Sequence, residues 1–288
     1  MVIIYGEPLN SPVFTIQNMD FATCVDYCYE TDECMGVYNL NVDTGDCHVF
    51  ENGNLIEIQE LDKSVGSKVA FKINATDPTQ CPLPSAQSFL GGQGDSSYRA
   101  TLTDGIWKFT PYPACPDTFT MFTRPKGKWC IGVFVPPQFI NQPDASTQCS
   151  NTYGGWLSGL ENVNEYQFVI DTVTPKLSQI SSGYLSVGFW VNGYRKPTCQ
   201  KNTYLQNDCN GTNEFDFSDP LLSENPTGYI WGVDQPSGKK ADDSPCIQFA
   251  FNSTTSQSMD LDDYICTGTT SKTGTTAFVG YVCGVKPE

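Results

Sequence analysis

The chain has 288 residues, with 32 acidic against 16 basic residues and a formal net charge of -16 at pH 7. This length favours two domains, since single domains usually have about 100–200 residues. The negative charge disfavours nucleic acids and anionic lipid surfaces as partners, because phosphate binding requires basic patches. No apolar run approaches the roughly 18 residues of a membrane-spanning helix, so we expect no membrane insertion.

The thirteen cysteines indicate the cellular compartment. Zinc modules usually combine CxxC pairs with further cysteines or histidines, whereas this chain has one histidine, His48, and no CxxC. Disulfides are therefore expected, and with them an extracellular, secreted protein whose signal peptide is absent from this sequence. Three N-x-S/T acceptor sites for N-glycosylation, at Asn74, Asn210 and Asn252, agree with secretion.

The first 74 residues predict one short helix against a small antiparallel sheet. Asp20 is a suitable N-cap, and Cys24 and Cys28 are four residues apart, which places them on one face of that helix. Short apolar runs predict strands at Val2–Tyr5, Gly36–Asn39, Cys47–Phe50 and Val69–Ile73.

Residues 75–114 are rich in proline, glycine and serine and contain a single cysteine, Cys81. Because such a composition is typical of segments without a core, we predict a linker here. The domains are then residues 1–74 and 115–288.

The region after this linker predicts a second α+β domain. Cys115 and Cys130 flank a predicted hairpin. Helices are predicted near 144–149 and over 161–170, where apolar residues follow helical spacing. Strands are predicted at Leu185–Trp190, Ile230–Trp231, Ile247–Phe251 and Phe278–Cys283.

Both parts resemble known families. Ile3-Ile-Tyr-Gly-Glu7 and the Cys24…Cys28…Cys34-Met-Gly-Val-Tyr38 stretch resemble the PAN-like domain called CW, which precedes lectin-like domains in secreted nematode proteins. Val187-Gly-Phe-Trp190 stands in the place of the WIGL core strand of the long-form C-type lectin-like domain, and Tyr281-Val-Cys283 resembles its closing strand. The resemblance implies a PAN/apple-like helix-on-sheet module, followed by a domain with two helices, antiparallel sheets and a long loop region.

The resemblance also implies the disulfides. Four cysteines in the first domain allow three connectivities, and the sequence does not choose among them. Cys81 is left over and would be free to close a disulfide-linked dimer. The implied pairs are Cys24–Cys47, Cys28–Cys34, Cys115–Cys130, Cys149–Cys283, Cys199–Cys209 and Cys246–Cys266.

C-type lectins hold calcium with oxygen ligands from two loop segments, and the same ligands bind sugar hydroxyls. Here Gln235-Pro236-Ser237 stands in place of the EPN or QPD triplet, and Leu261-Asp262-Asp263 in place of WND. A hydroxyl is a poorer calcium ligand than a carboxylate. The predicted calcium ligands are Gln235, Asp262, Asp263 and either Asp243 or Asp242; Ser237 completes the ligand-binding set. The alternative is a solvated acidic loop without a metal.

No catalytic motif is found: His48 has no accompanying nucleophile pattern, and there is no GxSxG sequence or glycine-rich phosphate loop. We therefore predict a non-enzymatic recognition protein that binds glycans or glycoproteins through the long loop, as in innate immunity. The alternative is a calcium-independent module of the same fold that binds protein or lipid.

Overall fold

A computed structural model describes residues 1–39, 45–74, 88–180, 183–200, 209–238 and 244–288. The chain divides into two compact units, Met1–Ala114 together with Glu288, and Cys115–Pro287. None of the helices in the described ranges combines the length and the hydropathy of a membrane-spanning segment.

The first unit is mainly β-structure. Its elements are β1 (Val2–Leu9), β2 (Thr15–Asn18), α1 (Phe21–Glu30), β3 (Cys34–Asn39), β4 (Asp46–Glu51), β5 (Glu57–Glu60), β6 (Lys68–Phe71), β7 (Ser88–Gly91), β8 (Tyr98–Thr103) and β9 (Ile106–Pro111). The described strands pair in the order β2-β4-β3-β6-β1-β5-β9-β8-β7.

The predicted helix is confirmed as α1, with Asp20 as its N-cap. The Asp20 side chain accepts a hydrogen bond from the Thr23 amide at 3.0 Å. Cys24 and Cys28 are buried and form disulfides with Cys47 on β4 and Cys34 on β3. These are the pairs that the resemblance implied, and they fasten the helix to one face of the sheet.

Strand β1 connects the two halves of this sheet. Its first four residues, Val2–Tyr5, pair with β6, and its last four, Gly6–Leu9, pair with β5. At the change of partner, a Cβ on Gly6 would lie 2.5 Å from the carbonyl oxygen of Gln59. Any larger residue at position 6 would therefore push the two strands apart.

The linker predicted for residues 75–114 is wrong for residues 88–111, which form β7, β8 and β9. Trp107 and Phe109 on β9 pack against Phe71 on β6, with ring centroids 5.4 Å and 5.1 Å apart. Strand β3 is buried along its whole length, so the sheet needs cover on the face away from α1 as well. Strands β7, β8 and β9, from the segment predicted as a linker, supply that cover. Cys81 lies outside the described residues.

The second unit contains both helices and strands. Its elements are β10 (Thr120–Arg124), β11 (Gly127–Phe134), α2 (Gln142–Tyr153), β12 (Trp156–Leu157), α3 (Val163–Val173), α4 (Leu177–Ile180), β13 (Ser186–Arg195), β14 (Phe215–Asp216), β15 (Cys246–Asn252), β16 (Gln257–Tyr264) and β17 (Thr276–Val285). The strand order is β10-β11-β17-β13-β15-β16, with β12 on β17 and β14 on β13.

Most elements predicted for this unit are present. The hairpin is β10–β11, the two helices are α2 and α3, and the predicted core strand is β13, which lies between β15 and parallel β17. Ile230–Trp231 is not a strand: Trp231 makes only an isolated bridge to Leu261. Strand β16, which carries Leu261, was not predicted.

Four disulfides staple the second unit. They are Cys115–Cys130, Cys149–Cys283, Cys199–Cys209 and Cys246–Cys266, the pairs implied by the resemblance. Cys149–Cys283 joins α2 to β17, and Cys246–Cys266 joins the start of β15 to the residues after β16. With those of the first unit, the described residues contain six disulfides, which is typical of extracellular proteins.

Candidate functional site

The predicted ligand Asp263 forms a buried ion pair with Arg195. Its side chain and that of Arg195 are both buried, and Arg195 Nη2 donates to Asp263 Oδ2 at 2.6 Å. The backbone amides of Ser237 and Gly238 also donate to this carboxylate, the second at 2.6 Å. Asp263 therefore connects β16 to the turn that carries Ser237. Both of its carboxylate oxygens already accept hydrogen bonds.

Asp262 has a different environment from its neighbour. Successive side chains of a strand point to opposite faces, and Asp262 accepts a hydrogen bond from Gln248 Nε2 on β15 at 3.2 Å. Burial, with a further contribution from nearby Asp263, raises the pKa of Asp262 to about 6. The structure does not direct the two carboxylates towards one point.

The remaining predicted site residues lie on the segment before β15. Gln235 is half-buried; its Oε1 is buried and has no hydrogen-bond partner among the residues that the structure describes. Ser237 is exposed, and its backbone amide donates a hydrogen bond to Asp263 Oδ1. Asp242 and Asp243 lie outside the described residues.

These contacts test whether the residues present fit a calcium ion. A hard cation needs several free oxygen ligands around one point. The Asp263 oxygens are bound to a guanidinium and two amides, and Asp262 faces the other side of β16. Over the described ranges, no cluster of three or more His, Cys, Asp or Glu side chains could hold a metal. Among the residues that the structure describes, which do not include Asp242 and Asp243, the Asp263 site does not fit calcium in this arrangement.

A second feature of this unit is a cleft of about 450 Å³ between residues 212–217 and 219–227, with Lys126 and Lys196 at its edge. We call it the loop cleft. Its volume lies in the range of about 300–1,000 Å³ that is usual for small-ligand pockets.

One wall of the loop cleft, residues 219–227, is fixed to the domain core by a buried arginine. Arg124 forms two hydrogen bonds of 2.8 Å with Glu165 of α3 and one of 2.9 Å with Asp219. Asp219 also accepts the Gly159 amide at 2.8 Å. Arg124 therefore holds the first residue of this wall against β10 and α3.

Two further contacts hold the rest of that wall. The Glu161 side chain accepts the Ser223 amide at 2.7 Å, and its backbone carbonyl accepts the Thr227 amide at 2.8 Å. Lys126 Nζ donates to the Leu222 carbonyl. These bonds fix the backbone at three points, so this wall of the cleft is preorganised.

The other wall, residues 212–217, is fixed by pairing and stacking. Strand β14 pairs with β13, and the ring of Phe215 lies between the Arg195 guanidinium at 4.6 Å and Trp231, whose ring centroid is 5.3 Å away. Trp231 Nε1 donates to Thr212 Oγ1 at 3.2 Å, and Lys196 Nζ donates to the Asn213 carbonyl at 2.9 Å.

The exposed groups of the cleft suit a polar ligand, although Asn213 Nδ2 also donates to Asn210 Oδ1 at 3.1 Å. Asn213, Asp216 and Asn225 are exposed, and Phe217 is half-buried beside Tyr229. Amides and carboxylates can bind hydroxyl groups, and an aromatic ring can contact an apolar C–H surface. The cleft was not predicted from the sequence, although the alternation Phe215-Asp-Phe217 next to asparagines was a visible signal.

The predicted glycosylation sites differ in exposure. Asn74 and Asn210 are exposed, whereas Asn252 is half-buried and its side chain accepts the amides of Thr254 and Thr255 at 2.9 Å and 3.0 Å. His48 is half-buried on β4 and stacks on Phe14, with ring centroids 4.3 Å apart.

Residues 118–286, more than half of the chain, match the sequence model described as C-type lectin domain-containing protein 141/158. The chain belongs to this C-type lectin domain family. Residues 1–73 match the PAN-like domain. This C-type lectin domain protein thus carries its lectin-like domain after a PAN-like domain, as the sequence predicted. No curated protein matches the chain.

Several solved structures are similar to this C-type lectin domain protein at low identity. Human lithostathine is 16% identical, covering 73% of this chain and 99% of its own, with a TM-score of 0.38. Herring type II antifreeze protein is 20% identical, covering 60% and 99%, with a TM-score of 0.37. The mouse scavenger receptor C-type lectin carbohydrate-recognition domain is 13% identical, covering 60% and 98%, with a TM-score of 0.35.

Proposed function

We propose that this protein is a secreted, non-enzymatic recognition protein whose lectin-like domain binds neutral glycans in the loop cleft, in a setting such as innate immunity. The observation that carries the proposal is a polar cleft with a partly exposed aromatic ring, whose walls are held by buried ion pairs and stacked rings. Preorganised walls lower the entropic cost of binding. The net charge of -16 favours neutral over anionic glycans.

The loop cleft is a better candidate than the calcium-site position for this role. Its polar side chains Asn213, Asp216 and Asn225 are exposed, while Asp263 is buried in an ion pair. Ligand binding by the residues predicted from the calcium-site motifs stays a prediction. These residues are Gln235, Ser237, Asp243, Asp262 and Asp263. The experiment below separates the two positions.

A glycan array with the intact chain tests the proposal. We expect binding to neutral glycans in the presence of either calcium or a chelator. Asn213→Ala and Asn225→Ala should each weaken binding about tenfold, which is the loss expected from one or two hydrogen bonds. Asn164→Ala is the matched control, because Asn164 is an exposed asparagine on α3, outside the cleft.

Two results would overturn the proposal. An array without any bound glycan would remove the carbohydrate function. Binding that survives both cleft substitutions but is lost in Gln235→Ala or Asp262→Ala would instead place the ligand at the predicted calcium-site residues.

A second candidate function, binding a protein partner without calcium, is favoured by one observation. Val233, in the long loop, is 91% exposed, and Met259, on the neighbouring strand β16, is 48% exposed. Exposed apolar groups of this kind can mark a protein interface. If this candidate is correct, Val233→Ser combined with Met259→Ser abolishes capture of a partner from extracellular fluid and leaves glycan binding unchanged.

A further inference from the structure

Arg195 is a buried cation shared by two chain segments. Its guanidinium pairs with Glu214, at the end of the 211–214 turn, and with Asp263 on β16. The side chains of Glu214 and Asp263 are fully buried, and that of Arg195 is 1% exposed. Buried carboxylates are costly without a compensating cation. Arg195 supplies that compensation to both.

The ion pair also holds the turn that bears the predicted calcium-ligand triplet. Asp263 accepts the amides of Ser237 and Gly238 while it is bound to Arg195. A Cβ on Gly238 would lie 2.2 Å from Asp263 Oδ2, so the backbone approaches this carboxylate as closely as a glycine allows. The position of the turn therefore depends on Asp263, and Asp263 depends on Arg195.

We infer that the Arg195 guanidinium takes the place of a metal cation at Asp263, and that it orders the turn at residues 237–238 without calcium. The chemistry suits the role: a guanidinium stays charged at every physiological pH and offers five donors in a fixed plane, so it can bind carboxylates from two directions. Phe215 holds the plane of the group, since the Arg195 guanidinium lies 4.6 Å from its ring centroid.

Hydrogen exchange of the intact chain tests this inference without any glycan ligand, so it is independent of the proposed function. The readout is the protection of the Ser237 and Gly238 amides, measured in millimolar calcium and in chelator. We expect the same protection of the wild type in both buffers. In Arg195→Met, we expect about tenfold or greater loss of protection in both buffers, because Asp263 loses its cation.

Two further variants make the test specific. Arg195→Lys keeps the charge but loses the planar set of donors, so its protection should lie between those of the wild type and Arg195→Met. Arg99→Met is the matched control. Its arginine lies in the first unit over the Tyr112 ring, and its loss should leave the turn unchanged.

The inference is overturned if chelation of wild-type protein lowers the protection of Ser237 and Gly238, or if Arg195→Met leaves these amides protected. If Arg195→Met does not fold, the wild-type comparison with and without calcium decides alone. Equal protection in the two buffers then supports the inference, and calcium-dependent protection refutes it.

Discussion

Trp107 offers a direct test of the part of the first unit that the sequence did not predict. Its side chain is 4% exposed, and its ring packs between Phe71 on β6 and Phe89 on β7, at 5.4 Å and 5.6 Å. Trp107 Nε1 also donates to the Glu60 carboxylate at 2.9 Å. Trp107→Ala removes all three contacts. Truncation of a buried tryptophan costs about 3–5 kcal/mol of unfolding free energy.

The assay is native-state hydrogen exchange of the β3 and β6 amides, which reports the free energy of opening of this unit. Lys108→Ala is the matched control, because Lys108 is the exposed neighbour on the opposite face of β9 and should change stability by less than about 0.5 kcal/mol. If residues 88–111 do not belong to this core, Trp107→Ala will resemble that control. Such a result would refute the assignment of β7, β8 and β9 to the first unit.

Three further predictions concern other parts of the chain. Arg124→Met leaves Glu165 and Asp219 buried without a cation and should lower the unfolding free energy by about 3–5 kcal/mol in a denaturant titration; a loss below about 1 kcal/mol would contradict the role given to Arg124. Non-reducing electrophoresis should give a dimer that Cys81→Ser abolishes, and a wild-type monomer would count against this pairing. In protein secreted from eukaryotic cells, each of Asn74→Gln, Asn210→Gln and Asn252→Gln should reduce the mass by one glycan, and an unchanged mass would exclude that site.

Most of the correct predictions about α1 and the disulfides came from the order and spacing of the cysteines. Helical spacing of Cys24 and Cys28 is a local signal, and Asp20 is a local cap, so α1 could be predicted from ten residues. The pairing itself needed the family resemblance. Once the family was named, all six disulfides followed, including Cys149–Cys283 across a sequence separation of 134.

The strands β8 and β9 were missed although their signal was present. Apolar and polar side chains alternate over residues 98–103 before Asp104-Gly105 and over residues 107–109 after it, and both turn residues have positive φ angles, 51° and 76°. Asp-Gly between alternating segments is a strong hairpin signal. The nearby prolines and glycines, which in fact border the hairpin, led to the prediction of a linker.

The buried ion pairs could not be predicted from local patterns. Arg195 meets Glu214 and Asp263 at sequence separations of 19 and 68, and Arg124 meets Asp219 at 95. A single sequence records the charge of each residue but not which residue lies opposite. Asp263 could therefore be read as a calcium ligand, although its carboxylate is bound to an arginine.

Hydrogen exchange with a bound glycan tests the central claim most directly. The glycan would be the strongest neutral hit from the array, added in chelator to the intact chain. We expect new protection of amides in residues 212–217 and 223–227, which lie within the two walls of the loop cleft, and little change at 257–264. Protection confined to β16 and residues 230–237, or protection that requires calcium, would contradict it.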